Sequence, residues 1–175
     1  MLSDQGNATT EPVIGRGPQA EPDTGNLRSG ETYLGYAQTM GFASPGGVQQ
    51  DIPVSYQGAS VLRLNRWSLS GAWTVGEEYA TLNAAGGRIA YRFHARDLHL
   101  VLAPAFAGKS IRFHVTIDGG APGDDRGEDV DPEGWGSVQD GRLYQLIRQS
   151  RPISDRTFEI EFFDPDVRAY AFTFG

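Results

Sequence analysis

Apolar and polar side chains alternate with a period of two residues through much of the second half of the chain. In Ile111–Ile117 the apolar side chains take every odd position, and Arg112, His114 and Thr116 take the positions between them. The same alternation recurs in four further segments: Gly87–Ala95, Asp97–Leu102, Arg156–Phe162 and Val167–Phe174. A period of two is typical of half-buried antiparallel strands.

Weaker strand patterns fill the intervening sequence. They cover Thr32–Tyr36, Ser60–Leu64, Trp67–Leu69, Ala72–Val75, Tyr79–Leu82 and Leu143–Arg148. We find no helical period, so the pattern predicts an all-β fold of eight to ten strands. The high strand count, and the absence of the Cys…Trp…Cys spacing of immunoglobulin domains, favour an antiparallel jelly-roll-like β-sandwich.

The first thirty residues have a different composition from the rest of the chain. They contain five Gly and three Pro but no aromatic residue, so they offer little apolar surface to offset the entropy lost on ordering. We therefore predict a flexible linker over residues 1–30 and a single folded domain over residues 31–175.

Several function classes are disfavoured by what the sequence lacks. Without cysteine, the chain has no disulfide framework, thiolate metal site or CxxC redox centre. Its net charge of −7 argues against nonspecific nucleic-acid binding, and its short apolar runs argue against a membrane span. It contains no G-x-S-x-G elbow and no phosphate-binding loop. We therefore expect a protein that is not an enzyme.

Six segments, in order along the chain, resemble the C-terminal module of DipZ-type proteins. They are Glu31–Gly47, Trp67–Trp73, Leu82–Ala95, Gly127–Gly136, Leu143–Gln149 and Arg156–Gly175. DipZ-type proteins are membrane-anchored, thioredoxin-like proteins linked to cytochrome c biogenesis and extracytoplasmic thiol–disulfide exchange. Their membrane domain is followed by a thioredoxin fold and then by a sandwich similar to carbohydrate-binding modules.

The resemblance implies a function as well as a fold. It implies an extracytoplasmic, non-catalytic module that binds a carbohydrate or another cell-envelope polymer and accompanies a thioredoxin-like domain in a membrane-anchored parent protein. That domain and its CxxC are missing here, so the redox chemistry is not carried over to any residue. Two alternatives stay open: a protein-interaction or structural module that orients the redox domain or its client, and, less favoured, a small hydrolase.

The net charge is concentrated in residues 118–141, where eight acidic residues stand against Arg126. Within this segment, Asp129, Asp131 and Gly134 match the first, third and sixth positions of a calcium-binding loop. Glu133 and Asp140 would supply the remaining carboxylates, although a Glu is preferred at the last position. Ca²⁺ is therefore a possible but not a required cofactor, and the alternative is a solvated acidic loop.

The basic residues of the alternating strands predict a binding surface. A tight turn at residues 96–97 would place His94 opposite His99, and His114 has the same phase together with Arg92 and Arg112. Three imidazoles on one face could ligate zinc, but a solvated basic face or an anion- or sugar-binding surface is the better interpretation.

Aromatic residues complete this predicted surface, because sugars stack their apolar faces on exposed aromatic rings. Trp135 lies among glycines in the acidic segment and is the best candidate for an exposed ring. Tyr144 either packs in the core or lines a groove, and Arg148 would add a donor. Trp67 and Trp73 lie in apolar contexts and are expected in the core. We expect an anionic or polyhydroxylated envelope polymer as the ligand.

Overall fold

A computed structural model describes residues 21–175, which form an antiparallel β-sandwich. The predicted all-β fold is confirmed. The strands are β1 (Thr32–Tyr33), β2 (Pro53–Tyr56), β3 (Trp67–Val75), β4 (Ala80–Leu82), β5 (Arg88–Phe93), β6 (Asp97–Pro104), β7 (Ile111–Ile117), β8 (Trp135–Val138), β9 (Arg142–Arg148), β10 (Arg156–Phe162) and β11 (Val167–Phe174). Nothing helical in residues 21–175 has the length and apolarity of a membrane span.

The strands form two layers in the order of a jelly roll. The front sheet runs β4-β11-β6-β9 and the back sheet runs β5-β10-β7-β8. From β4 to β7 the chain changes sheet at every connection, and it does so again between β8 and β11. Strand β1 extends the front sheet beside β11.

Strand β3 joins the two layers. Its first half pairs with β5 of the back sheet, and its second half pairs with β2 and β4. The strand changes sheets around Gly71, whose φ of 97° lies in the left-handed region that favours glycine. A Cβ at this position would lie 2.9 Å from the Cα of Gly87, so the close approach also requires glycine.

The core lies between the sheets and consists of the inward-facing residues that the alternation predicts. Leu98, Leu100 and Leu102 of β6 are fully buried, as are the odd-numbered residues of β7 up to Val115. Trp67 and Trp73 are also fully buried, which confirms their expected place in the core. The phase of β6 and β7 was therefore predicted correctly, whereas Tyr170 of β11, which the alternation aligns with Phe172, lines a depression on the outside of the sandwich.

The weaker strand patterns were less reliable. Residues 60–64 form bends and turns instead of a strand, because no strand within residues 21–175 pairs with them and Val61 stays exposed. Strands β2 and β8 were not predicted. Both are short strands at a sheet edge with only partial burial, so their side chains alternate too weakly to show a period.

Residues 1–20 of the predicted linker lie outside the described residues. Residues 21–30, which the linker prediction also covers, pack against the sandwich. The Arg28 N–H donates to the His94 carbonyl at 2.9 Å, and the Ser29 hydroxyl donates to the Asn65 side chain at 2.6 Å. Asp23 forms an ion pair with Arg151 at 3.0 Å.

Candidate ligand-binding groove

The five basic residues predicted as one surface are divided between the two sheets. Arg92 and His94 lie on or next to β5 of the back sheet, whereas His99 lies on β6 of the front sheet. Because the chain crosses between the layers at Arg96, the predicted pairing of His94 with His99 does not form. The single cationic patch was therefore predicted wrongly.

On the back sheet, acidic neighbours neutralise the arginines. The guanidinium of Arg112 contacts the Asp164 carboxylate at 3.3 Å. Arg88 bridges two glutamates of β10, Glu159 and Glu161, at 2.9 and 3.1 Å. The alternation in β10 predicts that its glutamates face outward, and these glutamates therefore neutralise the positive charge of Arg88 on the neighbouring strand.

Arg92 and His94 are occupied by other contacts. Arg92 donates from Nη1 to the Thr157 hydroxyl at 3.0 Å. His94 is buried, and its Nδ1 lies 2.6 Å from the Asp155 carboxylate. Neither side chain presents an open binding face.

Trp135, His114 and Phe163 form an exposed row of rings on the back sheet, which we call the Trp135 platform. Trp135 is 46% exposed, as expected for a stacking residue. Its ring centroid lies 4.5 Å from that of His114 and 5.2 Å from that of Phe163. His114 Nε2 lies 2.8 Å from the Glu133 carbonyl, which fixes the imidazole beside the indole.

The acidic segment does not form a metal cage in the structure. Both carboxylate oxygens of Asp129 accept from Arg142, at 2.8 and 3.1 Å. Asp131 accepts backbone N–H groups of Glu133 and Trp135, which makes it a turn residue. Within residues 21–175, no three His, Asp or Glu side chains are placed to hold a metal ion.

The positions of these side chains bear on both metal predictions, calcium and zinc. The Glu133 and Asp140 side chains do not join Asp129 and Asp131 in one cluster, so calcium would have to rearrange the loop. His94, His99 and His114 are too dispersed for the zinc alternative. Calcium binding stays a prediction.

Tyr144 lies in the core. Its ring is 1% exposed and packs edge-to-face on Phe113 at 6.5 Å. Its hydroxyl donates to the Asp140 carbonyl at 2.7 Å, which satisfies the phenol inside the fold. The residue was named as a ligand contact, and this correction follows from its inward place on β9.

A β-bulge in β9 brings Gln145 and Arg148 to the same outer face of the front sheet. Leu98 pairs with Ile147 and His99 pairs with Gln145, so Leu146 is an extra residue that opposes no partner. Leu146 and Ile147 both face the core. Without the bulge, strict alternation would put Gln145 and Arg148 on opposite faces.

These residues line an open groove of about 670 Å³ on the front sheet, which we call the polar groove. Asp97, His99, Gln145 and Arg148 contribute from β6 and β9, and residues 124 and 126–128 form the opposing wall. This wall follows the free edge of β9, where the Gly127 N–H donates to the Leu146 carbonyl at 2.9 Å.

Asp97 anchors one end of the polar groove. Its carboxylate, only 4% exposed, accepts from Arg148 Nε at 2.7 Å and from Arg96 Nη2 at 2.9 Å. Burial alone would raise the pKa of Asp97, but the hydrogen bonds from the two arginines outweigh it and lower the pKa. The carboxylate therefore stays ionised and fixes the Arg148 guanidinium.

Two polar side chains in the groove lack strong partners. Gln145 is only 9% exposed, yet its side-chain amide makes no hydrogen bond within residues 21–175. Among the described residues, His99 has only a long 3.4 Å side-chain hydrogen-bond contact, from Nδ1 to the Thr173 hydroxyl. Burial lowers the pKa of His99, partly offset by the charge of Asp97, so the ring is neutral at pH 7 and its two nitrogens offer one donor and one acceptor.

Sequence reasoning identified His99 and Arg148 but missed Asp97 and Gln145. Asp97 stood at a predicted turn, and Gln145 stood in a strand whose bulge the alternation does not show. The one available signal was that both faces of Leu143–Arg148 are partly apolar, which indicated either a central strand or a strand with one side lining a groove.

The chain matches a known protein family. A family model described as a thioredoxin-like C-terminal domain matches residues 29–175. The chain belongs to this family. Membership of the thioredoxin-like C-terminal domain family is compatible with an accessory domain that lies next to a redox domain. No curated protein matches the chain.

Proposed function

We propose that the chain is a non-catalytic glycan-binding module that holds a DipZ-type, membrane-anchored redox protein close to a cell-envelope polymer outside the cytoplasm. In this proposal the thioredoxin-like domain of the parent protein performs the thiol–disulfide exchange. This chain contributes the polar groove, and the proposed function requires no cofactor.

The side-chain amide of Gln145, which has no hydrogen-bond partner among the residues that the structure describes, carries the proposal. The amide nitrogen and oxygen reach the open groove, where water or a ligand can supply the hydrogen bonds that residues 21–175 do not. Gln145, His99 and the Arg148–Asp97 pair together offer donors and acceptors at short spacing within one open groove. Neighbouring hydroxyls of a sugar ring need such a mixed set, since each hydroxyl both donates and accepts.

The alternative of a protein-interaction module is supported by a different surface. The Trp135 platform exposes a large ring beside two others, and tryptophan is enriched among residues that dominate protein interfaces. The two functions therefore predict different sensitive residues, Gln145 for a glycan and Trp135 for a protein.

A binding screen tests the proposed function. The purified chain is titrated by calorimetry against a panel of envelope polysaccharides and peptidoglycan fragments, together with Gln145→Ala and Trp135→Ala variants. We expect at least one glycan to bind, with Gln145→Ala weakening binding about tenfold, or ~1.4 kcal/mol. Trp135→Ala should leave the affinity unchanged. Absence of binding to the whole panel, or loss of binding only in Trp135→Ala, contradicts the proposed function.

A further inference from the structure

We propose that the polar groove continues across the front sheet into a tyrosine-lined extension, so that the module binds an internal stretch of a long, neutral, linear glycan. The extension is a second depression of about 430 Å³, and its lining includes Tyr33, Val101, Tyr170 and Ala171. This inference rests on the proposed function and specifies its ligand class.

The two depressions are adjacent on the same face of β6. His99 lines the polar groove and Val101 lines the extension. Residues two apart on a strand face the same side and lie about 7 Å apart. Val101 pairs with Ala171, which in turn pairs with Tyr33, so one row of the sheet leads from β6 to β1.

A second β-bulge turns Tyr170 toward this face. Ala169 pairs with Leu102 and Ala171 pairs with Val101, which leaves Tyr170 as the extra residue of β11. Strict alternation would point Tyr170 into the core with Phe172. The bulge places it on the outer face beside Ala171, opposite Val101. Each depression thus borders a bulge that changes which side chains reach it.

The tyrosines supply the flat surfaces that the polar groove lacks. The Tyr33 ring is exposed, and the Tyr170 ring lies 5.0 Å from that of Tyr79. Such aromatic faces suit sugar rings, which present apolar C–H faces.

The combined surface is long enough for several sugar rings. Strands β9, β6, β11 and β1 lie side by side, and standard strand spacing and rise separate Gln145 from Tyr33 by about 16 Å. A monosaccharide does not span this distance. Both depressions are open to solvent, so a chain can pass through without ending there.

Charge favours a neutral polymer over an anionic one. Three carboxylates and two guanidiniums line the polar groove. Glu77 and Glu78 line the extension, and its lining residues within the described part of the chain include no arginine, lysine or histidine. Because carboxylates outnumber guanidiniums among the lining residues of both depressions, an acidic polymer would be repelled, and we favour the polyhydroxylated option of the expected ligand over the anionic one.

The test compares ligand lengths. Uncharged β-1,4-linked N-acetylglucosamine oligosaccharides, from the disaccharide to the hexasaccharide, are titrated against the unmodified chain and Tyr170→Ala, Tyr170→Phe and Trp135→Ala variants. We expect the hexasaccharide to bind about tenfold more tightly than the disaccharide. Tyr170→Ala should remove this gain without changing disaccharide affinity. Tyr170→Phe keeps the ring and should retain the gain, and Trp135→Ala should match the unmodified chain.

The outcomes separate this inference from the proposed function. Equal affinity for all lengths, with disaccharide binding still dependent on Gln145, overturns the extension and leaves the glycan-binding function standing. Absence of binding at every length overturns the neutral-glycan assignment. Tighter binding of galacturonic acid oligosaccharides of the same lengths overturns the charge argument.

Discussion

Replacing Asp97 by Asn tests whether a buried charge pair supports the polar groove. The substitution keeps the shape of the side chain but removes the charge that holds Arg148 and Arg96. Removing one partner of a buried ion pair typically costs about 3–5 kcal/mol, because the remaining charge loses its compensation. The two arginine side chains are 21% and 25% exposed, so water partly solvates them. We therefore expect the lower end, about 3 kcal/mol.

The assay is urea unfolding followed by tryptophan fluorescence, since Trp67 and Trp73 are fully buried and become exposed on unfolding. With a slope of about 2 kcal/mol per molar urea, the expected loss lowers the midpoint by about 1.5 M. The matched control is Glu159→Gln, which breaks a surface pair with Arg88. That pair is 37% and 49% exposed, so its loss should cost less than about 1 kcal/mol. Equal midpoints for the two variants would refute the structural role of Asp97.

Three further predictions concern protons, calcium and thiols. Burial lowers the pKa of His99 below its ordinary 6.5, so the unfolded chain binds this proton first and the free energy of unfolding should fall as pH drops below 6.5. In urea titrations, His99→Gln should reduce this dependence of stability on pH. An unchanged dependence would contradict the burial argument. If Asp129–Asp140 binds calcium, millimolar CaCl₂ should raise the melting temperature relative to EDTA, and Asp131→Ala should abolish the rise; equal melting temperatures in both buffers exclude the calcium site. Without cysteine, the chain should not accelerate insulin reduction by dithiothreitol, and measurable turnover would contradict the non-catalytic assignment.

The fold was predictable because alternation depends on burial alone. In β7 and β10 every second side chain enters the core, so the sequence shows both the strand and its inward face. The change of sheet at Arg96 was not predictable in this way. A tight hairpin and a crossover between layers have the same local pattern, and the choice between them depends on which distant strands pair with β5 and β6.

The site was less predictable than the fold, because it depends on two bulges. One extra residue in β9 and one in β11 reverse which side chains face outward beyond that point of each strand. Gln145 with Arg148, and Tyr170 with Ala171, therefore share a face only in the folded structure. Charge on the back sheet was misjudged for a related reason. Glu159 and Glu161 were predicted outward, but their proximity to Arg88 required the register of β10 against β5.

The most direct test of the central claim is a map of the binding face by nuclear magnetic resonance. Amide and side-chain signals of the ¹⁵N-labelled chain are followed during titration with the N-acetylglucosamine hexasaccharide. The account predicts that the Gln145 side-chain amide and the backbone amides of His99 and Tyr170 shift, while the Trp135 indole signal stays in place. Shifts confined to Trp135 and His114 would place the ligand on the back sheet and contradict the account.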